Sequence, residues 1–293
     1  MNPRILNLDN ENLDPDLFHE VAERVSSGEL VIFPTETVYG IGAAHGLPGA
    51  REKLATAKER PTDQPFTVHI GSLEQLDSLV EEISEKVRRT SEAFWPGPLT
   101  VILPDGSPQG IGIRFPAHPV ACELLRQTGP LIASSANRRG APPPLSCQEA
   151  ISSIGSEVSF AIDGGPCHVG EASTIVRFDS KGTFEILREG LITRSMIRKV
   201  LGEFEVLFVC TGNTCRSPMA EALCKKWLSE REEVSTNDLS AHGYQVNSAA
   251  LYSGGGPASD HAQTVMSEMG ADASSHVSRQ LSHEMLESAE LIL

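Results

Sequence analysis

The sequence lacks the features of membrane and secreted proteins. No apolar run approaches the roughly 18 residues that a membrane-spanning helix needs. The N-terminus, Met1-Asn-Pro-Arg-Ile-Leu, has no basic segment followed by an apolar one, as a secretory signal would. Only six cysteines are scattered over 293 residues, too few for a disulfide framework. These absences predict a reduced, cytoplasmic protein that does not enter membranes.

The sequence also lacks surplus positive charge. The formal net charge is −15, and residues 1–200 hold 19 Lys/Arg against 26 Asp/Glu, whereas residues 201–293 hold 5 against 13. Broad, non-specific binding of nucleic acids depends on surplus Lys and Arg. We therefore expect little direct affinity for nucleic acid, although a local basic pocket remains compatible with this balance.

Alternating helix and strand patterns over about the first 190 residues predict an α/β or α+β sheet domain. The first helix is expected to begin after Asp14, with Pro15 at its first position, and to end at Gly28. Further strands are expected at 30–33, 66–70, 99–103, 130–133, 160–163, 174–178 and 184–187, and helices at 51–58, 73–80, 84–94 and 119–126. Residues 34–42 read as a turn-rich segment, 140–144 as a loop and 193–201 as a short connecting helix. The chain is long enough for two domains, which we place at residues 1–200 and 204–293.

Small hydroxyl side chains and isolated cations occur together in the first domain. They lie in the stretches Pro34–Gly40, Lys58–Pro61, Ser134–Asn137 and Arg188–Gly190, together with Arg114, Ser173 and Thr174. Neutral donors beside cations at the carboxyl ends of strands suit a triphosphate and a small amino acid. No Gly-x-x-x-x-Gly-Lys loop is present, so a P-loop nucleotide site is excluded.

In this order, the motifs resemble the YrdC-type family of threonylcarbamoyl-AMP synthases over residues 14–195. They are Pro-Thr-Glu-Thr-Val-Tyr-Gly, Lys-x-Arg-Pro, Val-His-Ile, Pro-Gly-Pro-Leu-Thr, Arg-x-Pro, Ser-x-Asn and Ser-Thr-Ile. The resemblance implies a twisted open α/β sheet and a synthase that combines ATP, L-threonine and bicarbonate. The products are pyrophosphate and threonylcarbamoyl-adenylate, from which other proteins transfer the threonylcarbamoyl group to tRNA.

The residues suit this chemistry. Lys58 and Arg60, two positions apart after a helix, can neutralise phosphate charge, and we assign ATP binding to Lys58, Arg60, Ser135, Asn137 and Arg188. If Val68 faces the core, His69 faces the opposite side of its strand. By resemblance, threonine is held by Thr35, His69, Arg114 and Ser173, with Arg114 on its carboxylate. Mg²⁺ is expected to be held mainly by the phosphates, with no metal site made by the protein. Because the intermediates hydrolyse readily, we expect a cleft that closes.

A second site is predicted around Cys210. An apolar strand runs into this cysteine, a polar turn follows, and Arg216-Ser217-Pro218 opens a helix. Such a strand–loop–helix directs backbone N–H groups and the positive helix end at one point, which makes an anion site. The same surroundings favour the thiolate of Cys210, and the planar Arg216 side chain can bind two phosphate oxygens.

This segment resembles the low-molecular-weight protein tyrosine phosphatases and the related arsenate reductases, which implies a doubly wound parallel sheet. Further matches lie at 253–258, 268–272 and 276–281. In the implied mechanism Cys210 attacks phosphorus and Arg216 binds the equatorial oxygens. Asn213 shapes the loop, and Ser217 supports the thiolate. Cys215 either forms a reversible disulfide with Cys210 or is a buried small side chain, and both interpretations stay open.

The general acid of this phosphatase family is an aspartate on a loop beyond the position reached by Leu293. We therefore expect the acid, and the last strand and helix of the sheet, to be absent from these 293 residues. Asp260 and Asp272 match other positions of the family pattern. The expected result is weak turnover of phosphotyrosine, with better turnover of substrates whose leaving group is acidic.

Two other functions are compatible with the motifs. The first is a phosphatase, or an arsenate reductase, with a regulatory nucleotide-binding N-terminal domain. The second is a non-catalytic RNA-maturation module. The negative charge of residues 1–200 disfavours the RNA-binding alternative.

Overall fold

A computed structural model describes residues 3–8, 13–61, 64–252 and 255–293. The chain divides into two compact units, Met1–Thr193 and Arg194–Leu293. The helix at Arg194–Leu201 belongs to the second unit by its contacts, whereas the sequence interpretation placed residues up to 200 in the first domain. No helix among the described residues is both long and apolar enough to cross a membrane.

Within the described residues, the first unit is built on one ten-stranded mixed sheet. Its strands, in chain order, are β1 Arg4–Asn7, β2 Val31–Phe33, β3 Gly40–Ala44, β4 Thr67–His69, β5 Leu99–Leu103, β6 Ile111–Arg114, β7 Leu131–Ser135, β8 Phe160–Asp163, β9 Thr174–Phe178 and β10 Phe184–Arg188. Their spatial order is β1-β8-β2-β3-β7-β4-β6-β5-β9-β10. The central strands β3, β7, β4 and β6 bring four separate chain segments side by side, and this is where the first site forms.

Helices cover both faces of this sheet. They are α1 Pro15–Ser26, α2 Ala50–Ala57, α3 Leu73–Asp77, α4 Glu85–Phe94, α5 Pro119–Thr128 and α6 Cys147–Ile154, followed by a 3₁₀ turn at Gly155–Glu157. Side chains of β2 alternate between two buried clusters: Ile32 packs with α2 and α6, whereas Val31 and Phe33 pack with α1 and α5. The predicted start of α1 is confirmed, since the Asp14 carboxylate accepts a hydrogen bond from Asp16 N.

The sequence interpretation was wrong in one segment and missed others. Part of the predicted turn-rich segment 34–42 is the start of β3, and the strands β1 and β6 and the helix α6 were not anticipated. Strand β3 carries glycines because the ring of Phe33 packs against them: a Cβ at Gly42 would lie 3.0 Å from Phe33 Cε1. Glycine reads as a turn signal in sequence, but here it allows close packing inside a sheet.

The second unit contains a three-stranded parallel sheet among its described residues. The strands are β11 Phe204–Cys210, β12 Tyr244–Ala250 and β13 Leu291–Ile292, in the spatial order β12-β11-β13. The helices are α7 Arg194–Leu201, α8 Arg216–Glu232, α9 Asp260–Glu268 and α10 His283–Ser288. The parallel sheet and the strand at Leu291 confirm the predicted fold class of this half. Strand β11 ends at Cys210 and α8 begins at Arg216, so the intervening loop lies at the carboxyl edge of the sheet.

Candidate active sites

A cavity of about 420 Å³ lies in the first unit at the central strands. Seven of the nine side chains predicted for ATP or threonine line it: Thr35, Arg60, His69, Arg114, Ser135, Ser173 and Arg188. Among the described residues, its lining includes three arginines and no carboxylate. The cavity is therefore electropositive, as binding of a triphosphate and an amino-acid carboxylate requires.

Thr35 and Thr37 shape one wall of the cavity. The Thr35 hydroxyl donates to Val38 O at 2.6 Å and accepts from the backbone N–H groups of Thr37 and Val38. It also lies 2.9 Å from the Thr37 hydroxyl. Thr35 thus stabilises its own turn, whereas the Thr37 hydroxyl contacts another part of the site, the side chain of Arg114.

Arg114 at the end of β6 is held by two partners. Its Nη2 donates to Glu36 Oε1 at 2.6 Å and to the Thr37 hydroxyl at 2.8 Å. Glu36 Oε2 accepts from Ala117 N at 3.0 Å, which fixes the carboxylate in turn. The Arg114 Nε is buried and has no hydrogen-bond partner, and such a donor is normally satisfied. The guanidinium therefore carries one buried donor that the protein itself does not satisfy.

His69 lies beside Arg114 in the register of β4 and β6. Burial, with a smaller contribution from the Arg114 charge, lowers the pKa of His69 to about 3. The imidazole is neutral at physiological pH and can accept a hydrogen bond as well as donate one.

Ser173 and Arg188 form the opposite wall. The Nε and Nη2 of Arg188 donate to Ser173 O at 2.9 and 2.7 Å. The Ser173 hydroxyl lies 2.9 Å from the Thr100 hydroxyl. Burial and the nearby charge of Arg114 lower the pKa of Arg188. Arg188 therefore lies close to the residues predicted for threonine, rather than with Lys58 and Arg60.

Lys58 and Asn137 do not line the cavity but lie directly behind it. The buried Lys58 ammonium donates to Ser135 O at 2.5 Å and also to Asn137 O. Burial, followed by the charge of Arg60, lowers the pKa of Lys58 to about 8. The sequence interpretation expected Asn137 to donate to the ligand, but its Nδ2 donates to Arg138 O and Ala141 O. Its Oδ1 is buried and accepts no hydrogen bond. The unsatisfied atom of this side chain is therefore an acceptor and not a donor.

Arg60 is positioned by the segment that follows it. Its Nε donates to Gln64 Oε1 at 2.9 Å and its Nη2 to Pro65 O at 2.8 Å. The guanidinium carbon lies 4.9 Å from the centroid of the Phe66 ring, within the range of a cation–π contact. These contacts leave Nη1 as the group that can reach a phosphate.

The loop after β11 surrounds the thiol of Cys210. The Sγ atom lies 3.0 Å from the Ser217 hydroxyl and 3.2 Å from Asn213 N, which donates to it. Burial acts to raise the pKa of Cys210, but the Ser217 hydroxyl and the N–H groups of Ser217, Asn213 and Gly212 outweigh it, so the net pKa is lowered. These contacts favour the thiolate, which is the nucleophilic form of cysteine.

Asn213 holds the loop in shape. It adopts a left-handed conformation with φ of 50°, which asparagine tolerates better than most residues. Its buried Nδ2 donates to the hydroxyls of Ser217 at 2.8 Å and Ser248 at 2.7 Å. Its Oδ1 accepts from Arg279 N, and His276 contacts its carbonyl at 2.9 Å. The loop is therefore organised before any phosphate binds.

Two other loop side chains remain exposed. Arg216 Nη2 donates to the Thr211 hydroxyl at 3.2 Å, and Cys215 Sγ lies 3.1 Å from the Ser259 hydroxyl. Both Cys210 and Cys215 are free thiols, and the exposure of Cys215 does not fit the interpretation of a buried small side chain. Part of the match at 253–258, namely Ser253 and Gly254, lies outside the described residues.

Sequence reasoning missed Glu36, Thr100 and Phe66 as parts of the first site. Glu36 lies inside the threonine-rich motif but pairs with an arginine 78 positions away. No local pattern indicates that pairing. The one sequence signal for Glu36 is its position between Thr35 and Thr37, two hydroxyl residues of the same motif.

Comparisons with known proteins support the family resemblance of each half of the chain. Residues 23–190, more than half of the chain, match the Sua5/YciO/YrdC family model, described as telomere recombination. The chain belongs to this family. Residues 205–293 match the model of the low molecular weight phosphotyrosine protein phosphatases. Both resemblances inferred from the motifs are thus confirmed.

The chain is similar to several threonylcarbamoyl-AMP synthases. It is 36% identical to the Pyrococcus abyssi protein over 192 residues, which are 62% of this chain and 56% of the relative. It is also 36% identical to the Bacillus subtilis protein over 204 residues, which are 66% of this chain and 58% of the relative. The chain thus spans a little over half the length of these two relatives. A putative synthase of Mycobacterium tuberculosis is 38% identical over 187 residues (61% and 86%).

Among solved structures, the crystal structure of Pyrococcus abyssi Sua5 complexed with L-threonine resembles the chain with a TM-score of 0.63 and 27% identity. The match covers 84% of this chain and 92% of that one. The fold predicted for the first half is thereby confirmed.

Proposed function

We propose that the first unit synthesises L-threonylcarbamoyladenylate from ATP, L-threonine and bicarbonate and releases pyrophosphate. The observation that carries the proposal is the single electropositive cavity into which seven predicted side chains converge. The similarity to threonylcarbamoyl-AMP synthases supports the same reaction. The comparisons give no support to a regulatory nucleotide-binding domain or to a non-catalytic RNA-maturation module.

Threonine would bind between Arg114, His69 and Ser173. The buried, unpartnered Nε of Arg114 suits the carboxylate. The neutral imidazole of His69 can accept a hydrogen bond from the amino group. The Ser173 hydroxyl would complete the pocket, and Thr35, whose hydroxyl is satisfied within its own turn, would form part of the wall.

ATP would bind with its phosphates toward Arg60, Lys58 and Ser135, and Arg188 would approach the same nucleotide from the side of Ser173. Asn137 would act from behind the cavity, where its Nδ2 donates to Arg138 O and Ala141 O and its carbonyl oxygen accepts from Lys58. Carboxylated threonine would attack the α-phosphorus, and the cations would stabilise the charge that develops on the phosphates.

Mg²⁺ would be held mainly by the phosphate oxygens. The described residues contain no group of three or more His, Cys, Asp or Glu side chains suited to a metal ion, so the protein's own contribution to such an ion would be small.

The domain assignment, 1–200 for the synthase and 204–293 for the phosphatase-like domain, is part of this proposal. All six cysteines are free thiols, which is compatible with the cytoplasmic location that we propose. Proteins that transfer the threonylcarbamoyl group to tRNA would act downstream. The chain itself, with its net charge of −15, would bind little nucleic acid.

The test is an assay for pyrophosphate release by the 293-residue chain. Release should require both threonine and bicarbonate, and Arg60→Gln should reduce it by at least about tenfold, because a charge-assisted contact to phosphate is removed. Arg88→Gln is the matched control, since Arg88 is half exposed, pairs with Asp77 and lies away from the cavity. Release that proceeds equally without threonine would refute the proposal. Tight binding of structured RNA without turnover would favour the RNA-maturation module instead.

We further propose that the second unit uses Cys210 as a nucleophile toward phosphate esters. The lowered pKa of Cys210 and the preorganised loop support this role. Hydrolysis of nitrophenyl phosphate that is lost in Cys210→Ser would support it, whereas unchanged hydrolysis would exclude it. Thiol-dependent formation of arsenite from arsenate would identify the arsenate reductase variant.

A further inference from the structure

A row of four side chains crosses the cavity of the first unit. In the sheet, Arg114 on β6 lies opposite His69 on β4 and also opposite Thr100 on β5. On its other side, Thr100 lies opposite Ile175 on β9. Residues that are opposite one another on adjacent strands point to the same face of the sheet, and all four line the cavity. An amino acid held at Arg114 therefore lies next to Thr100, and Ile175 is the next residue in the row.

The hydroxyl of Thr100 is paired with that of Ser173. Their Oγ1 and Oγ atoms lie 2.9 Å apart, and both residues are more than nine-tenths buried in the cavity wall. The Ser173 hydroxyl also accepts a hydrogen bond from Nη2 of Arg188 at 3.3 Å. Across residues 3–8, 13–61, 64–252 and 255–293, the two hydroxyls have no other hydrogen-bond partner.

A count of hydrogens shows what this hydroxyl pair leaves unused. Each hydroxyl carries one hydrogen and two lone pairs. The contact within the pair uses one hydrogen and one lone pair, whichever residue donates, and Arg188 takes a second lone pair. One hydrogen and two lone pairs remain. Because a buried donor without an acceptor is unfavourable, a ligand in the cavity is expected to accept the remaining hydrogen.

The ligand group that fits best is a hydroxyl. A hydroxyl can accept the unused hydrogen and can at the same time donate to a remaining lone pair. A carboxylate can only accept, and an ammonium group can only donate. The substrate carboxylate is already assigned to Arg114, whose guanidinium is the stronger partner for it. The hydroxyl pair therefore suits a hydroxyl on the side chain of the amino acid.

The neighbouring Ile175 supplies an apolar contact. Its side chain is half-buried and lines the cavity. The adjacent residues of β9 are turned away, since the Thr174 hydroxyl donates to Ile192 O and Val176 is fully buried. A methyl group beside the ligand hydroxyl would pack against Ile175. A side chain with both groups on one carbon, as in threonine, satisfies the hydroxyl pair and Ile175 together.

We propose that Thr100 is a specificity-determining residue, which with Ser173 binds the hydroxyl of the amino-acid substrate, while Ile175 contacts its methyl group. This inference rests on the proposed synthase function and names residues that select threonine. Two analogues separate the two contacts. L-2-aminobutyrate is threonine without the hydroxyl, and L-serine is threonine without the methyl group.

The experiment measures dissociation constants of the three amino acids for the full 293-residue chain by calorimetry. The wild type should bind threonine at least about tenfold more tightly than 2-aminobutyrate, because the analogue leaves the buried hydroxyl pair unsatisfied. Thr100→Val should weaken threonine about three- to tenfold, as expected for one hydrogen bond, and 2-aminobutyrate by less than about twofold. Thr100→Ser should retain most of the threonine affinity. Ile175→Ala should weaken threonine about three- to tenfold but serine by less than about twofold.

Thr90→Val is the matched control. Thr90 is a buried threonine on α4 that does not line the cavity, and its hydroxyl donates to Lys86 O at 2.8 Å. This variant should bind all three amino acids as the wild type does. ATP affinity should stay within about twofold in every variant, and a thermal melt identifies those that are folded.

The selectivities decide the outcome. Equal wild-type affinities for threonine and 2-aminobutyrate would overturn the inference without any variant. Unchanged threonine affinity in folded Thr100→Val would also overturn it, and so would an equal loss for threonine and 2-aminobutyrate, because the effect would then be one of shape. A loss confined to ATP would place a ribose hydroxyl at the pair instead. An equal loss for threonine and serine in Ile175→Ala would remove Ile175 from the assignment.

Failure of the proposed function can be told apart from failure of this inference. A wild-type chain that binds neither threonine nor ATP would defeat both. The expected selectivities together with no release of pyrophosphate would defeat the synthase proposal alone and leave Thr100 assigned to an amino-acid site.

Discussion

Replacement of Arg114 by lysine tests the threonine pocket most directly. Lysine keeps the positive charge but lacks the planar fork of the guanidinium. The Arg114 side chain is 7% exposed and contacts Glu36 and Thr37, so the lysine ammonium can still pair with Glu36. The Nε edge that we assign to the threonine carboxylate disappears with the substitution.

The expected magnitude follows from the lost contact. A hydrogen bond to a charged group contributes about 1.5–3 kcal/mol, and each 1.4 kcal/mol is about tenfold in affinity. Arg114→Lys should therefore weaken threonine binding roughly 10- to 100-fold. Arg114→Gln should in addition lower the melting temperature, because the partly buried Glu36 carboxylate loses its ion-pair partner and keeps only the Ala117 N–H.

Calorimetric titration of threonine into each variant measures the effect, with ATP titrated separately. ATP affinity should stay within about threefold, since the phosphates are assigned to other cations. A thermal melt of Arg114→Lys confirms that it is folded. If this folded variant bound threonine as tightly as the wild type, the assignment of Arg114 to the carboxylate would be wrong.

Protonation and leaving-group chemistry at Lys58 and Cys210 provide the remaining tests. The pKa of Lys58 is about 8, below its ordinary value, so the ammonium charge is present below that pH and lost above it. ATP affinity should fall as the pH rises through about 8, and Lys58→Arg, which stays charged, should remove this dependence; an identical pH profile in the variant would contradict the role. Cys210 should react with iodoacetamide at lower pH than an ordinary thiol, because its pKa is lowered. Ser217→Ala should shift that profile to higher pH, and an unmoved profile would show that Ser217 does not stabilise the thiolate. The 293-residue chain should hydrolyse nitrophenyl phosphate faster than phosphotyrosine, since a phenolate of pKa near 10 needs a proton that general acid catalysis supplies with a gain of about 10²–10⁴-fold. Equal efficiency on both substrates would indicate that another group supplies the proton.

The second site was accessible to sequence reasoning because it is local. Cys210, Asn213 and Ser217 belong to one strand–loop–helix, so their spacing already limits how far apart they can lie. The contacts of Asn213 with Ser248 and His276 were not foreseen. They come from segments 35 and 63 residues away, and nothing in the loop sequence specifies them.

The first site was predicted only as a set of residue types. The motifs indicated Thr35, Arg114 and Ser173, but not the contact of Arg114 with Glu36 or the contact of Arg188 with Ser173. They also failed to show that Lys58 turns inward to two carbonyl oxygens. Each of these contacts depends on strands that are adjacent in the sheet but distant in the chain.

The sequence by itself determined the features that neighbouring residues fix: the start of α1 after Asp14, the strand that ends at Cys210 and the helix that begins at Arg216. Capping, helix periodicity and backbone geometry act over a few residues and can be read in order along the chain. The tertiary structure alone decided which groups stay charged and which atoms remain free for a ligand. The low pKa of His69 and the unpartnered Nε of Arg114 arise from burial among distant segments, and burial is a property of the folded chain rather than of any stretch of it.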